Sequence, residues 1–327
     1  MRYPQTQPAF SEEEFVKAHA FLASRVATMM GRKFEEGDWS FVYCAAKGLP
    51  ESGWSNLRID IMHESLGVEH KMLCVRSKKR MKEHCGTTLM HPSATRSIRI
   101  PSTIGDPTET ARDVLDQYVE LIQQHRQRVT ENAPGNTPDM RIGWLLWQVS
   151  LREFMYFEVE MLEPNPDDYW AEWVESKGGS RKASKNLWVY EIETGKKRYS
   201  ITTSGPKIQP YFDVPAPNDP NLYHFRVQGE KLDGDLIRIW ITSTTALLLE
   251  NLLGEFDTDT ISSVITKTAA KVSEIEETSK ETPTTKLDLA KPICLTIDAY
   301  RALTETFVGV SDEHMIQLFL RHISQRA

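Results

Sequence analysis

Between Asn56 and Val75 the chain reads NLRIDIMHESLGVEHKMLCV, and no other stretch restricts its folding as tightly. Side chains two apart on a strand share a face, so Glu69 and Lys71 point the same way. Asp60 joins them if the segment folds back through a short turn. Two registers do this. Pairing Asp60 with Glu69 leaves Glu64-Ser65 as the loop, whereas pairing Asp60 with Lys71 needs a four-residue loop. Either register gathers two carboxylates and one ammonium on one face, with Ile59, Ile61, Val68 and Met72 on the other. The pattern predicts strands over Leu57–His63 and Val68–Val75, charged on one side and packed beneath helices on the other.

The flanking sequence supplies those helices. Ser11 with Glu14 forms a capping box, and Phe15, Ala18, Leu22, Val26 and Met29 recur at helical spacing up to Gly31. Thr108 to Val129 is the longest helical stretch, with Pro107 at its start and Val114, Leu115, Tyr118, Leu121 and Ile122 as its apolar stripe. Trp39 to Ala46 is aromatic and β-branched and reads as a strand. Gly143–Val149, Phe154–Met161, Leu187–Ile192, Arg198–Thr203, Tyr223–Val227 and Leu236–Thr242 read as further strands, and Ala246–Leu253 as a helix. The expected fold is α/β: a mixed central β-sheet flanked by helices, with a β-rich addition and a small C-terminal α/β segment. The expected division is residues 1–150 as a core, 151–257 as a β-rich extension, 258–286 as a linker or mobile segment, and 287–327 as a C-terminal helical segment.

Composition excludes several classes. Of the 327 residues, 40% are hydrophobic and 26% charged, which suits a sizeable core rather than a disordered chain. No run reaches the roughly 18 apolar residues of a spanning helix, and Met1 to Pro8 has no signal-peptide pattern. Cys44, Cys74, Cys85 and Cys294 lack CxxC spacing and read as reduced thiols of a cytoplasmic protein. Cys74, His84, Cys85 and His91 are too unevenly spaced for a zinc site. There is no Walker or G-x-G-x-x-G loop, hence no expected nucleotide cofactor, and no G-x-S-x-G elbow.

The net charge of −7 conceals segregation. Eight basic residues (Lys71, Arg76, Lys78, Lys79, Arg80, Lys82, Arg96, Arg99) stand against one acid between Lys71 and Gly105. Eight more (Lys177, Arg181, Lys182, Lys185, Lys196, Lys197, Arg198, Lys207) stand against two acids between Lys177 and Lys207. Such segments can bind phosphates on an acidic protein. The basic hairpin tip Gly195 to Arg198 is shaped for a DNA major groove, and Gln209 just beyond it can read adenine.

Two carboxylates held close together call for a cation, and oxygen ligands favour Mg²⁺, with Mn²⁺ as a substitute. Asp60, Glu69 and the backbone carbonyl of His70 are the candidate metal ligands, and Lys71 is placed to assist an attacking water. Asp60 followed by LGVEHK (Leu66 to Lys71) resembles the PD-(D/E)xK nuclease superfamily. It is especially similar to the signature of type II restriction endonucleases and of the methyl-directed mismatch-repair endonuclease. Ile59 stands where that family has proline, and His70 where it has an apolar residue. The resemblance spans roughly Ser11 to Val149. It implies a restriction-endonuclease-like core, with Asp60 and Glu69 as metal ligands and Lys71 as the catalytic lysine. It also implies a prokaryotic, cytoplasmic enzyme that cuts double-stranded DNA at specific sites as a homodimer. An additional acid from Glu13, Glu14, Glu35 or Glu36 fits the same pattern. Leu303, Phe307, Met315, Leu318 and Phe319 of the C-terminal segment are available either for a dimer interface or for the chain's own core. The alternatives are a non-catalytic DNA-binding or assembly protein and a nicking endonuclease of the mismatch-repair kind.

Overall fold

The computed structural model describes residues 3–29, 32–50, 59–76, 80–95, 98–100, 105–176, 184–203, 205–254, 257–269 and 289–324. In chain order the first elements are β1 (Thr6–Gln7), α1 (Glu12–Thr28), α2 (Glu36–Lys47), β2 (Ile61–His63), β3 (Leu66–Cys74) and β4 (Thr88–Met90). Next come α3 (Pro107–Asn132), β5 (Asp139–Trp147), β6 (Glu153–Glu160), β7 (Tyr169–Ser176), β8 (Ser184–Glu191), β9 (Lys197–Thr202) and β10 (Lys207–Asp213). The last are β11 (Tyr223–Arg226), β12 (Glu230–Lys231), β13 (Leu236–Thr242), α4 (Ser243–Leu253), α5 (Thr258–Ala269), β14 (Ala290–Thr296), α6 (Ile297–Thr306) and α7 (Asp312–Ser324). The chain is an α/β protein divided into two compact units. Residues 1–9, 52–147 and 155–223 form the first; residues 10–51, 148–154 and 224–327 form the second.

Two sheets make up the first unit. In the mixed sheet the strand order is β1-β6-β5-β3-β2. β2 and β3 are antiparallel, whereas β3 and β5 are parallel with Glu69 beside Ile142 and Lys71 beside Trp144. A parallel pair needs a crossover, and α3 lies within it. The second sheet is antiparallel, in the order β4-β10-β9-β8-β7. α3 begins sharply because the Asp106 carboxylate accepts the N–H groups of Thr108 and Glu109, with Pro107 at the first helical position. Its first half sends Ala111, Val114 and Leu115 into a core with Tyr169, Leu187 and Ile208 of the antiparallel sheet. Its second half sends Ile122 and Val129 into a core with Ile59 and Met140. Burying an aliphatic side chain of this kind contributes about 1.5–3 kcal/mol. One helix is thus anchored to both sheets.

The second unit packs α4, α5, α6 and α7 around the antiparallel sheet β12-β13-β14. Two expectations are corrected here, and one that was left open is decided. Trp39 to Ala46 is helical: Trp39, Val42, Tyr43 and Ala46 are buried at helical spacing, and Gly48 ends the helix at φ 66°. The packing period outweighs the β-propensity of the aromatic residues. The segment opening at Thr258 is the helix α5 rather than linker, because Ile261 and Ile265 dock into the core and Asp257 caps its first N–H groups. The remainder of that expected linker lies outside the described residues. Leu303, Phe307, Met315, Leu318 and Phe319 are all buried in the same core, so the chain's own fold uses them. Strands β1, β4, β7, β10 and β12 are additional to those expected. No helix among the described residues is long and apolar enough to cross a membrane.

Candidate active site

β2 and β3 pair Ile61 with Val68, Met62 with Gly67 and His63 with Leu66. The loop is therefore Glu64-Ser65, the tighter of the two registers, with Glu64 left-handed at φ 50°. One step further along this register, Asp60 stands opposite Glu69. β2 has ended by then, and the Asp60 side chain takes over: its Oδ2 accepts the His70 backbone N–H at 2.7 Å. A residue's N–H and C=O leave the same edge of a strand. The His70 carbonyl thus faces the edge at which Asp60 sits.

On β3, Lys71 Nζ donates to Glu69 Oε1 at 2.6 Å. Both side chains are largely covered, at 15% and 20% exposure. Burial alone would lower the ammonium's pKa, but the Glu69 carboxylate, with Asp60 behind it, reverses the effect and holds Lys71 above its ordinary value. Lys71 is therefore charged. Glu69 Oε2 is buried and has no hydrogen-bond partner among the described residues. The arrangement leaves one carboxylate oxygen unsatisfied in a place where an unsatisfied charge is costly.

The cover comes from α3. Gly67 permits it: a Cβ there would lie 2.7 Å from Val129 Cγ2 and 3.0 Å from Ile59 Cδ1. Along the same helix, Tyr118 and His125 act electrostatically on Glu69 and Lys71. These two residues were missed in the sequence reading, although the spacing 118, 122, 125, 129 puts them on one helical face. Lys71 and Tyr118 also line a cavity of about 570 Å³ together with Ile142 and Trp144. Beyond the end of β2, the free edge of β3 is held by His91, whose Nε2 lies 3.1 Å from the Met72 carbonyl. Its Nδ1 lies 2.6 Å from the Ser93 carbonyl oxygen and 3.2 Å from the Ser93 N–H, so both ring nitrogens are held by backbone groups. Burial, with Lys71 nearby, lowers the pKa of His91 to about 4 and keeps it neutral.

Compared with family models, curated proteins and solved structures, the chain matches none of them. The site is therefore judged on its own residues.

Those residues suit a hard divalent cation in donor type, since all are oxygens, and in the buried, unsatisfied Glu69 Oε2. Among the described residues no three His, Cys, Asp or Glu side chains converge as metal ligands, which includes Cys74, His84, Cys85 and His91. A cation here would be held by Asp60, Glu69 and the His70 carbonyl. The acids considered from the N-terminal region have other tasks. Glu13 pairs with Lys17, Glu14 closes the capping box of α1 and reaches Lys47, and Glu35 and Glu36 begin α2.

The basic residues do not act alike. Arg76, Arg80, Lys82 and Arg99 are exposed close in sequence to β3 and α3. Lys196 is exposed at the turn between β8 and β9. Lys197 instead lies over the Trp188 ring, with Nζ 3.2 Å from its centroid, and burial brings its pKa down to about 8. Arg198 is committed to Glu191 and Asp213 at 3.3 and 3.0 Å. Lys185 covers Trp173, and Gln209 donates its amide to the Pro92 carbonyl. Lys207 begins β10 and is partly exposed. Lys78, Lys79, Arg96, Arg181 and Lys182 lie outside the described residues.

Proposed function

We propose that the chain is a Mg²⁺-dependent endonuclease that hydrolyses phosphodiester bonds in duplex DNA, of the site-specific type II restriction kind. The observation that carries this reading is the hairpin register. It sets Asp60 opposite Glu69, puts Lys71 on the Glu69 face, and leaves Glu69 Oε2 buried without a partner. A structural ion pair accounts for Lys71 with Glu69 Oε1, but not for the second oxygen. The parallel β3–β5 pair with α3 in its crossover agrees with the core that the PD-(D/E)xK resemblance implies.

In this reading Asp60, Glu69 and the His70 carbonyl hold the metal, Mg²⁺ or in its place Mn²⁺. When bound, the metal activates water and neutralises charge developing on the phosphoryl oxygens. Lys71 stays protonated and donates a hydrogen bond to the attacking water or to the phosphate, where charge grows in the transition state. Exposed Arg76, Arg80, Lys82, Arg99 and Lys196 attract the DNA backbone. With Arg198 and Gln209 engaged within the protein, base reading falls to other groups of the second basic segment. One catalytic patch per chain and two strands to cut favour a homodimer. The proposed setting is a prokaryotic cytoplasm.

A long DNA digested in Mg²⁺ tests the reading. Discrete fragments with mappable ends are expected, insensitive to a zinc-selective chelator and abolished by EDTA. Undiminished cleavage in metal-free buffer contradicts it. A second reading, a non-catalytic DNA-binding protein, is favoured by the 2.6 Å Lys71–Glu69 pair, which neutralises both groups. That reading predicts binding without cleavage in any metal.

A further inference from the structure

The cavity beside Lys71 contains a hydroxyl for which the fold gives no use. Tyr118 points from α3 toward the sheet face that carries Glu69 and Lys71. Its ring packs in the core with Ile142 and meets Tyr199 edge to face at 6.3 Å. The ring is therefore fixed from both sheets of its unit. The hydroxyl makes no hydrogen bond among the described residues, and only the charges of Lys71 and Glu69 act on it. Two other covered tyrosines have acceptors: Tyr156 donates to Glu158 and Tyr300 to Asp312. A tyrosine hydroxyl in such a position normally finds a partner. Tyr118 lines, with Lys71, the same cavity. A phenol is protonated at neutral pH and so is available as a donor or as a neutral acceptor. Six carboxylates share the cavity wall: Glu191 and Asp213 are engaged by Arg198, Glu163 by Arg126 and Asp219 by the Thr6 hydroxyl, and Glu160 and Asp168 complete the set.

We propose that Tyr118 is a further catalytic residue, whose O–H donates a hydrogen bond to a non-bridging oxygen of the phosphodiester held beside Lys71. The inference rests on the phosphodiesterase reading above and names the second donor of that site. No proton is transferred. The hydroxyl supplies a fixed dipole where negative charge builds up, in the manner of an oxyanion-hole donor.

Tyr118→Phe keeps the ring and removes only the hydroxyl. Two probes avoid any need for a recognition sequence: hydrolysis of bis(p-nitrophenyl) phosphate in Mn²⁺, and binding of inorganic phosphate followed by isothermal titration calorimetry. The variant should keep the wild-type Tm, lose about 10- to 100-fold in kcat/KM, and bind phosphate more weakly. Rates and phosphate affinity equal to wild type overturn the role of Tyr118 and leave the nuclease reading standing. A wild-type protein that binds phosphate through Tyr118 but hydrolyses nothing supports the donor and removes the nuclease reading. A wild-type protein that neither binds nor hydrolyses overturns both. A lowered Tm with the same losses is resolved by Tyr118→Trp, which fills the cavity wall and retains a donor. Failure of that variant to recover phosphate binding, once its Tm returns to wild type, counts against the proposal.

Discussion

The Glu69 carboxylate keeps the Lys71 ammonium charged under α3, and their pair bears on how the first unit responds to mutation. Glu69→Ala leaves the Lys71 charge covered with Asp60 as its remaining counter-charge. It should destabilise the unit by about 1–3 kcal/mol, measured by urea unfolding. An increase in stability would mean that the pair is not a covered one. The nearby histidines give a pH signature. Burial first, and Lys71 second, brings the folded pKa of His70 to about 3 and of His91 to about 4, against 6.5 for a free side chain. Between pH 6.5 and 4 the unfolded chain takes up protons that the folded one does not. The contribution is therefore complete above pH 6.5 and is lost as pH falls, by up to about 1.4 kcal/mol per pH unit for each histidine. Asp312 in the second unit has the opposite sign. Burial raises its carboxyl to about 6, so it adds stability as pH drops from 6 toward 3.8. Thermal scans from pH 7 to pH 4.5 should therefore show a falling transition for the first unit, and His91→Gln should flatten that fall. A transition independent of pH would contradict the burial of both rings.

Among the elements, the β2–β3 hairpin and α3 depend on each other through Gly67. Gly67→Ala should cost about 1–3 kcal/mol by overpacking against Val129. Adding Val129→Ala should recover part of the loss, a coupling that a double-mutant cycle in denaturant measures. Strict additivity would show that helix and hairpin do not meet there. The tighter register of this hairpin was one of the two legible in the sequence, but its packing was not: α3 covers the face of Glu69 and Lys71, and Ile59 joins Val129 on that side rather than opposite it. α3 was legible because a cap, a proline and a long stripe agree. Other elements were hidden by competing signals. The aromatic residues of Trp39 to Ala46 suggest a strand, while their spacing of three and four serves a helix. In α5, threonine, serine and lysine outnumber the few isoleucines that dock. β10 carries Pro210 at its centre, which argues against a strand, yet its neighbours still pair on both sides. Tyr118, His91 and His125 could not be assigned to the site because their roles depend on which faces α3 and β3 present to each other.

On the scale of the whole molecule, the two units interleave along the chain, and the β3 hairpin and α1 belong to different units. No single cut along the chain separates the two units. The segment after Ala290 is core, so truncating it should unfold the second unit rather than simply disconnect two copies. Sedimentation on uncleavable DNA should nevertheless show two chains per duplex, whereas one chain with nicked plasmid as product would favour a monomeric nickase. The central claim is that the Asp60–Glu69–Lys71 patch hydrolyses DNA, and one paired measurement addresses it. Wild-type protein and Lys71→Ala are assayed on the same DNA, for binding in Ca²⁺ and for cleavage in Mg²⁺. The account predicts similar binding and a loss of cleavage of about a thousandfold or more, as follows when a transition-state contact is removed. Cleavage by Lys71→Ala at the wild-type rate would contradict it.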